Sequence, residues 1–458
     1  MNAGPGHPCG SGIAGLFAGQ PWTHCSKQPR IGAQKSSVQK PQDIVRLWRE
    51  LQVFWGALSI STYFPVPLDF AMPSADGDWM LPHFLGWGLL AVAAGGLCYA
   101  AVAVVMAGVM LRKGAHAPIQ PFPAITVLKP LHGAEPGLEA ALGSFLNQDY
   151  PMPVQVVFGV RDPLDAALPV VEKLRARFPQ SDIEVVIDSR LYGTNMKISN
   201  VINATRKAKH DLLLLADSDI TVPQNYLTAI ASACAQPGVG AVSCLYSGRA
   251  TDNLWSQIVA MGTNYQFLPN AAFGISAGLV KPCFGSTIAL RRETLDKIGG
   301  FEAFASQFAD DFEIGRAVCN AGYDIAYPAL AVQHGNAEST LSELMRHELR
   351  WARTVRMLNP TGHLGSLVTH PLPLALLGAA LLGFSHTAVM VFCLLLAVRI
   401  GLKLAMDAIV GSEAGSSWLI PLRDALSMGV FLGSLFGNAV EWRGQRLRID
   451  RTGAIQEA

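Results

Sequence analysis

The sequence predicts an α/β domain with a mostly parallel sheet, flanked by transmembrane helices. Strand and helix patterns alternate between residues 114 and 360, and long apolar stretches lie on both sides of this region. Of the 458 residues, 50% are hydrophobic and only 15% are charged, and the mean hydropathy is +0.29. Soluble domains carry more charge, so this composition indicates a membrane protein with a soluble part.

The soluble region contains short apolar runs separated by longer amphipathic ones. Strands are predicted at Ala124–Lys129, Val154–Val160, Ile183–Ile187 and Leu212–Asp217, and helices at Leu138–Asn147, Ala166–Phe178 and Asn200–Lys209. This alternation favours a largely parallel sheet. Ligands of such sheets lie beyond the carboxyl ends of the strands. Lys129, Asp162 and Asp217 all fall at predicted carboxyl ends, so we expect them to meet at one crevice.

The apolar stretches divide the chain into five predicted regions. These are an extension at 1–80, a transmembrane helix at 81–112, the α/β domain at 113–360, transmembrane or interfacial helices at 361–441 and a basic tail at 442–458. The extension is expected to be disordered or to precede the natural start, for which Met72 and Met80 are candidates. Phe84–Leu111 is free of charge and exceeds the ~20 residues that span a bilayer. Arg112 and Lys113 follow it, so the positive-inside rule predicts a cytoplasmic α/β domain.

The second apolar region contains three candidate spans, at Leu372–Phe384, Ala388–Val398 and Leu419–Phe436. A cytoplasmic basic tail requires an even number of spans after the α/β domain. Three spans would therefore conflict with a cytoplasmic tail. Either one candidate is a re-entrant or interfacial helix, or the tail breaks the positive-inside rule, and both alternatives stay open. Leu254–Leu279 is a further apolar and aromatic stretch, for which a core helix pair and a membrane-interface segment are equally good interpretations.

Several function classes lack support in the sequence. The net charge of +1 gives no electrostatic case for nucleic-acid binding. The eight cysteines form no C-x-x-C pair, which argues against a disulfide framework or a zinc site. Neither a G-x-x-x-x-G-K-[ST] loop nor a G-x-G-x-x-G after a strand is present. His347-Glu348 would need a second histidine at 351 to form a zinc-protease motif, and that position holds Trp351.

Carboxylates gather at two places in the α/β domain. Asp217-Ser218-Asp219 follows the predicted strand of four leucines, and Asp310-Asp311 lies farther along the chain. Carboxylates at the end of a buried strand are suitable ligands for a hard divalent cation, and such a cation binds a diphosphate. Alone, each cluster has an ordinary alternative: an Asp-rich turn for the first, and acids on a helix macrodipole for the second.

The order of these motifs resembles that of the ceramide glucosyltransferase-like membrane glycosyltransferases. The shared pattern is a first Asp after a strand, a D-x-D-like pair, an acidic third motif and [QR]-x-x-R-W. Here these positions are Asp162, Asp217-Ser218-Asp219, Asp310-Asp311 and His347-Glu348-Leu349-Arg350-Trp351. The segments VLKPLHGAEPGLEAAL, GTNMKISNVIN, CFGSTIALRR and HELRWARTVR add to the likeness, which is strongest to the bacterial hopanoid-biosynthesis-associated glycosyltransferases.

This resemblance implies a GT-A-like fold and an inverting, metal-assisted transfer of N-acetylglucosamine or glucose from a UDP-sugar to a lipid hydroxyl. It implies a multi-pass protein of the cell inner membrane. Asp311 is the expected base, with Asp310 as second choice, and Asp217 and Asp219 are the expected ligands of Mg²⁺ or Mn²⁺. The residues expected to bind the donor are Lys129, Asp162, Lys197, Asp217, His347, Arg350 and Trp351. His347 occupies the [QR] position and can donate a hydrogen bond to a phosphate, with a charge that depends on pH.

Alternatives remain for the acceptor and for the function of the protein as a whole. A hopanoid polyol is the first choice of acceptor and ceramide the second. A processive polysaccharide synthase would need a wider multi-helix channel than these spans provide. A non-catalytic scaffold or ion transporter would place its carboxylates within the apolar segments, whereas here they lie outside them. Arg353 and Arg356 follow Arg350 at helical spacing, and a basic face against anionic lipid is the favoured interpretation for both.

Overall fold

The computed structural model describes residues 80–112, 120–251, 253–437, 439–442, 445–449 and 455–457. Residues 1–79 of the predicted extension, with the candidate start Met72, lie outside the described residues.

The first described region is one long helix, α1, which runs from Met80 to Arg112. Its 33 residues rise about 1.5 Å each, which is ample to cross a ~30 Å hydrocarbon core. It begins four residues before the predicted apolar stretch and ends at the expected arginine. The predicted transmembrane segment is therefore a continuous helix.

The α/β domain follows in nearly the predicted order. Its first half comprises β1 (Ile125–Pro130), α2 (Leu138–Leu146), β2 (Val154–Val160), α3 (Leu168–Arg177), β3 (Asp182–Ile187), α4 (Met196–Thr205), β4 (Leu212–Leu215), β5 (Ile220–Thr221) and α5 (Tyr226–Cys234). Its second half comprises β6 (Val239–Val242), β7 (Leu245–Ala250), α6 (Leu254–Gly262), α7 (Leu268–Ser276), β8 (Ile288–Arg291), α8 (Arg292–Lys297), α9 (Asp310–Asn320), β9 (Asp324–Ala326) and β10 (Ala331–Asn336).

Seven strands form the main sheet in the order β3-β2-β1-β4-β8-β6-β9. β1, β2, β3 and β4 are parallel, and β8 runs antiparallel to both β4 and β6. The predicted mostly parallel sheet is confirmed. A second sheet has the order β5-β10-β7, and its strand β5 follows β4 directly along the chain.

The four leucines of β4 show why this strand lies at the centre. Leu212 and Leu214 enter one hydrophobic cluster, packed by α2, α3 and α5. Leu213 and Leu215 enter the opposite cluster, packed by α4 and α9. Side chains alternate across a strand, so an uninterrupted apolar run must bury both faces. The main sheet is thus covered by helices on both sides, and polar residues are left to its ends.

The apolar stretch Leu254–Leu279 forms α6, a π-helical turn at Thr263–Phe267 and α7. Ile258, Val259, Ala260 and Met261 of α6 are buried, which matches the core interpretation of this half of the stretch. The π-turn buries Tyr265 and partly buries Phe267. Single π-turns inside helices are frequent at functional sites.

The C-terminal region is a group of helices and a small sheet. It comprises α10 (Leu341–Leu358), α11 (Pro360–Gly365), α12 (Pro371–Leu381), α13 (His386–Val410), α14 (Ile420–Ser434), β11 (Ala439–Trp442), β12 (Gln445–Ile449) and β13 (Ile455–Glu457). The last three strands form an antiparallel sheet, so the predicted basic tail contributes strands.

Two helices of the described residues, α1 and α13, are long and apolar enough to span a membrane. The helical segments Pro360–Thr369 and Pro371–Leu381 are bent by 63° and add at most one broken span. Within the candidate span Leu419–Phe436, the helix α14 has 15 residues, which rise about 22 Å and are fewer than the ~20 residues that usually cross a bilayer.

Glycine residues let α1 approach the C-terminal helical segments around Val368 and Gly378 closely. A Cβ on Gly96 would lie 2.1 Å from the carbonyl oxygen of Val368, and one on Gly378 would lie 2.8 Å from that of Gly86. Glycine at such positions is the usual way for membrane helices to pack backbone against backbone.

Candidate active site

The crevice forms where β4 ends and the chain turns across the sheet. The N–H of Ala216 donates to the Leu128 carbonyl, which continues the β1–β4 ladder, and the N–H of Asp217 donates to the Gly285 carbonyl at 3.2 Å. The apolar strand thereby delivers Asp217 to the rim of the sheet. Gly285 lies in the loop before β8, so strands far apart in sequence fix this aspartate.

Lys197 joins the two acidic motifs. Its Nζ lies 2.7 Å from Asp217 Oδ1 and 3.2 Å from Asp310 Oδ2. Burial lowers the pKa of Lys197, but the negative charges of Asp217, Asp310 and Asp311 outweigh that effect and raise it. This lysine therefore stays charged and links both motifs.

Lys197 is positioned by the start of α4. Asn195 caps this helix, since its Oδ1 accepts from the N–H of Ile198 at 3.0 Å. Its Nδ2 donates to the Gln307 carbonyl at 2.8 Å and to Asp310 Oδ1 at 3.2 Å. One asparagine thus caps a helix and ties it to the acidic third motif, which explains why α4 begins before the predicted Asn200.

Asp311 lies in the first turn of α9 and faces the loop of Gly285. Its Oδ2 accepts from the N–H of Gly285 at 3.0 Å, and its Oδ1 accepts from the N–H of Phe312 at 2.8 Å. Burial, followed by the charge of Asp310, raises the pKa of Asp311 to about 6, against the opposing effects of Lys197 and the Phe312 N–H. A carboxylate with such a pKa suits proton transfer near neutral pH.

Asp219 points to a different partner. Its Oδ2 lies 3.2 Å from Nε2 of His334 on β10, and its carbonyl accepts from the N–H of Gly335 at 3.0 Å. Its Oδ1 is buried and has no hydrogen-bond partner among the described residues. The second sheet thus brings an imidazole beside the D-x-D motif.

Among the residues expected to bind the donor, Lys129 is the one whose side chain is least accessible to a ligand. It is fully buried; its Nζ donates to the Asp217 carbonyl and lies 3.9 Å from the centre of the Phe145 ring. Burial lowers its pKa to about 7, although Asp219 and Asp217 act in the opposite direction. In this structure the lysine supports the backbone of Asp217 from behind.

Asp162 lies on the turn after β2 and is exposed. Its Oδ1 accepts from the N–H of Leu164 at 2.9 Å, so its side chain stabilises its own turn. The buried acid of this turn is Asp165, whose Oδ1 accepts from the N–H groups of Gly133 and Ala167, each at 2.8 Å.

An aromatic wall lies beside the D-x-D motif, since two of its rings contact His334. Tyr246 stacks on Phe267 with ring centres 4.5 Å apart, and Phe267 lies 6.5 Å from Trp351. Trp351 also approaches His334 at 6.4 Å and His347 at 4.7 Å, both edge to face. Burial, then the charges of Asp311, Asp217 and Asp219, raises the pKa of Tyr246.

The helix α10 carries His347, Arg350 and Trp351 in successive turns. The half-buried Arg350 lies on the same helix as Trp351. Arg353 donates to the Ala439 carbonyl at 2.7 Å, and Arg356 donates to the carbonyls of Leu435 and Gly437 at 3.0 and 2.6 Å. Both guanidinium groups thus hold the chain after α14, and the interpretation of a basic face against anionic lipid stays a prediction.

The donor atoms at the crevice fit a divalent cation. The orphan Asp219 Oδ1, the Asp217 carboxylate and the His334 imidazole are oxygen and nitrogen donors of the type that Mn²⁺ accepts. The carboxylates of Asp217, Asp310 and Asp311 act on the ammonium of Lys197, and this excess of negative charge favours a cation. Within the described ranges, no three His, Cys, Asp or Glu side chains already surround a common point.

Sequence reasoning missed several residues of this crevice. They are Asn195, Tyr246, Gly285, His334 and Glu338. Asn195 and Gly285 lie inside the quoted segments GTNMKISNVIN and CFGSTIALRR, so those segments carried a signal for them. His334 and Glu338 lie outside every quoted motif, and only the pairing of β10 with β5 and β7 brings them to the site.

Comparison with known proteins gives relatives of modest identity. The chain is 23% identical over 285 residues to ceramide glucosyltransferase 1 of Caenorhabditis elegans, with 60% of each chain covered. It is 27% identical over 244 residues to an N-acetylglucosaminyltransferase of Rhizobium meliloti, with 51% of this chain and 56% of the relative covered. The chain thus spans 60% or less of the length of these curated relatives.

Among solved structures, a mannosyltransferase from Pyrobaculum calidifontis in complex with GDP-Man and Mn²⁺ aligns over 77% of this chain and 99% of its own, with 18% identity and a TM-score of 0.45. The family profile described as glycosyl transferase family 21 matches residues 88–455. That match covers most of α1, the whole α/β domain and the C-terminal helices. The expected α/β fold class with a mostly parallel sheet is confirmed by the strand order, and the chain belongs to glycosyl transferase family 21.

Proposed function

We propose that this protein is a membrane-bound, inverting hexosyltransferase that moves N-acetylglucosamine or glucose from a UDP-sugar to a hydroxyl group of a membrane lipid. The observation that carries the proposal is the ion-paired position of Lys197 between Asp217 and Asp310. Lys197 joins the D-x-D motif to the acidic motif that contains Asp311. A glycosyl transfer requires the donor site and the base to lie close together, and this ion pair supports that arrangement.

The donor side of the crevice consists of Asp217, Asp219, His334 and Lys197. The first three would hold Mg²⁺ or Mn²⁺, which when bound neutralises the negative charge of a diphosphate leaving group. Lys197 fixes Asp217 and adds a positive charge that stays in place during the reaction. Preorganised charge of this kind stabilises a transition state without reorganisation.

The acceptor side depends on Asp311. As general base it takes the proton of the lipid hydroxyl while the oxygen attacks the anomeric carbon from the face opposite the diphosphate. A single displacement of this kind inverts the anomeric centre. The raised pKa of Asp311, about 6, keeps this carboxylate basic enough to accept a proton and mostly ionised at neutral pH. Trp351 and the aromatic wall offer an apolar face to the sugar or the lipid.

The lipid class of the acceptor is inferred from position and resemblance. The crevice lies in a chain whose α1 and α13 are apolar enough to span a bilayer, which favours a membrane-resident acceptor. The motifs resemble those of hopanoid-associated enzymes, so a hopanoid polyol is our first acceptor. Ceramide is the alternative, favoured by the likeness to ceramide glucosyltransferase 1. Arg112 at the end of α1 favours a cytoplasmic position for the α/β domain. The membrane that we propose for the protein is the cell inner membrane.

The direct test is incubation of the purified full chain in detergent with labelled UDP-glucose or UDP-N-acetylglucosamine, Mn²⁺ and total bacterial lipid. We expect UDP release and a lipid product heavier by one sugar unit in mass spectrometry. A polymeric product would instead support a processive synthase. Failure to release UDP with either donor and any lipid would overturn the proposal and favour a non-catalytic scaffold.

A further inference from the structure

A buried ion pair joins the helix of the HELRW motif to the C-terminal helices. Glu348 of α10 accepts a hydrogen bond at Oε1 from Nη1 of Arg423 on α14. The side chains of Glu348 and Arg423 are only 12% and 6% exposed. Neither the proposed donor site nor the proposed base uses this pair. Glu348 is therefore a buried charge of the motif to which the proposed mechanism gives no role.

The guanidinium of Arg423 also lies against the end of α6. A Cβ on Gly262, the last residue of that helix, would lie 2.5 Å from Nη2 and 2.6 Å from Cζ of Arg423. Glycine at this position leaves the room that the guanidinium occupies. The π-turn Thr263–Phe267 begins at the next residue. Arg423 thus contacts both α10 and the segment that leads to Phe267.

Apolar contacts bring the same elements together around the pair. Leu344 of α10 is fully buried and clusters with Ile258 and Val259 of α6, and Leu426 of α14 packs against that cluster. Leu344 and Glu348 are four residues apart and therefore lie on one face of α10. Apolar packing has no preferred direction, whereas a hydrogen-bonded ion pair has one. The ion pair therefore sets the rotation of α10 more closely than the apolar cluster can.

Trp351 follows Glu348 by one turn of α10. Its ring lies 6.5 Å from that of Phe267, which ends the π-turn and belongs to the aromatic wall. A shift of α10 against the π-turn would therefore separate Trp351 from the remainder of the wall. Arg423 is placed where a single side chain prevents that shift, because it contacts both segments.

We propose that Arg423 is a positioning residue for sugar transfer: it holds α10 against the π-turn and thereby keeps Trp351 beside Phe267 in one continuous aromatic wall. The inference rests on the proposed function, in which this wall carries the sugar or the lipid. Displacement of a positioned group by about 1 Å can cost about a hundredfold in rate. Loss of the ion pair therefore impairs transfer even in a protein that stays folded.

A neighbouring ion pair supplies the matched control. Asp424, the next residue of α14, accepts two hydrogen bonds of 3.0 Å from Arg399 of α13. Both pairs are buried and both involve α14, but the first reaches α10 and the second reaches α13. Equivalent replacements at the two pairs thus separate an effect on the aromatic wall from an effect on stability alone.

The experiment compares two double variants of the full chain in detergent, with transfer from the UDP-sugar to lipid measured by UDP release. Glu348→Leu with Arg423→Met removes both charges of the first pair, and such replacements are often neutral or stabilising. We expect its thermal midpoint to stay near that of the parent, while kcat/KM falls about tenfold to a hundredfold. Arg399→Met with Asp424→Leu should match the parent in kcat/KM.

The Michaelis constants separate positioning from loss of folded enzyme. A smaller folded fraction lowers the rate and leaves KM unchanged, whereas a displaced wall raises KM for the UDP-sugar or for the lipid. Arg423→Lys keeps the charge that pairs with Glu348 and should recover most of the activity that Arg423→Met loses. Full kcat/KM in the double variant of Glu348 and Arg423 would overturn the proposal, because a pair needed for stability alone would behave in that way.

Gly262→Ala tests the same contact without removing a charge, and it decides the question if the double variant does not fold. The added Cβ would displace the guanidinium, so kcat/KM should fall about tenfold. Gly429→Ala on α14, where a Cβ would meet nothing within 4 Å, is the control and should match the parent. Parent-level activity in a folded Gly262→Ala variant would also overturn the proposal.

The two proposals fail in different ways. If the parent protein releases no UDP with either donor and any lipid, the proposed function fails and the inference falls with it. If the parent is active, and the double variant of Glu348 and Arg423 is as active as the parent, only the inference about Arg423 fails.

Discussion

The backbone N–H of Gly285 donates a 3.0 Å hydrogen bond to Asp311 Oδ2. The carbonyl of the same glycine accepts from the N–H of Asp217 at 3.2 Å. One peptide segment thus fixes the distance between the proposed base and the D-x-D motif. Any reaction that uses both aspartates depends on this loop keeping its place.

Gly285→Ala should damage the site without unfolding the domain. An added Cβ would lie 2.6 Å from Asp217 Oδ2 and 3.3 Å from Lys197 Nζ, so the carboxylate must move. Displacement of a positioned group by about 1 Å can cost about a hundredfold in rate. We expect a loss of this order in kcat/KM for the UDP-sugar, measured by UDP release.

Gly365→Ala is the control for this substitution, since a Cβ at Gly365 meets nothing within 4 Å. It should leave both kcat/KM and the thermal midpoint unchanged. If Gly285→Ala retains full activity, Asp217 is not held in the position that the proposed donor site requires.

Asp311→Asn should abolish turnover while nucleotide binding persists. Asparagine keeps the size of the side chain and a carbonyl oxygen that can accept from Gly285, but it cannot take a proton. Loss of a general base costs about 10²–10⁴-fold, so kcat should fall by at least about a hundredfold. UDP affinity, measured separately by calorimetry, should stay near that of the parent.

Asp310→Asn distinguishes the two candidate bases. Asp310 accepts from Asn195 and pairs with Lys197, so its loss should weaken the link between motifs and reduce activity less than Asp311→Asn does. The opposite ranking of the two variants would transfer the role of base to Asp310.

The pH profile of kcat/KM should report Asp311. Its pKa of about 6 predicts that activity is low below this pH, where the base is protonated, and rises to a plateau above it. Burial is the main cause of the raised pKa and the charge of Asp310 the next. Asp310→Asn removes that charge, so the acid limb should move to lower pH. An acid limb that stays in place, or moves upward, would show that another group controls the profile.

Local sequence pattern predicts the parts of the fold that depend on neighbouring residues. The four leucines of β4 require burial on both faces, and this alone predicts that Asp217 lies at a strand end. The same kind of pattern predicts that helix α4 begins at Asn200, four residues after its observed start at Met196. The observed start depends on the cap by Asn195 and on the contact of that residue with Gln307. Local pattern does not reveal a contact between residues 112 positions apart.

Contacts between residues distant in sequence also explain the side-chain positions that the sequence pattern does not predict. The position of Lys129 at a strand end favours donor binding, but its amine turns inward to the Asp217 carbonyl and the Phe145 ring. Arg353 and Arg356 have the spacing of a basic helix face, yet the carbonyls that they bind lie 79 to 86 residues away. His334 reaches the site only through strand pairing.

A buried ion pair joins two of the C-terminal helices. Arg399 of α13 and Asp424 of α14 form two hydrogen bonds of 3.0 Å, and their side chains are 8% and 7% exposed. Removing one partner of a buried pair costs about 3–5 kcal/mol, because the remaining charge stays buried without compensation. Asp424→Leu should therefore lower the thermal midpoint in detergent clearly.

Replacing both partners should reverse that loss. The double variant Arg399→Met and Asp424→Leu leaves no buried charge at the pair, and such replacements are often neutral or stabilising. Its thermal midpoint should return to that of the parent or exceed it. Glu172→Gln, which breaks the exposed pair with Arg175, should change the midpoint little. A double variant as unstable as Asp424→Leu would show that the pair positions α13 against α14 through its geometry, beyond the mutual neutralisation of two charges.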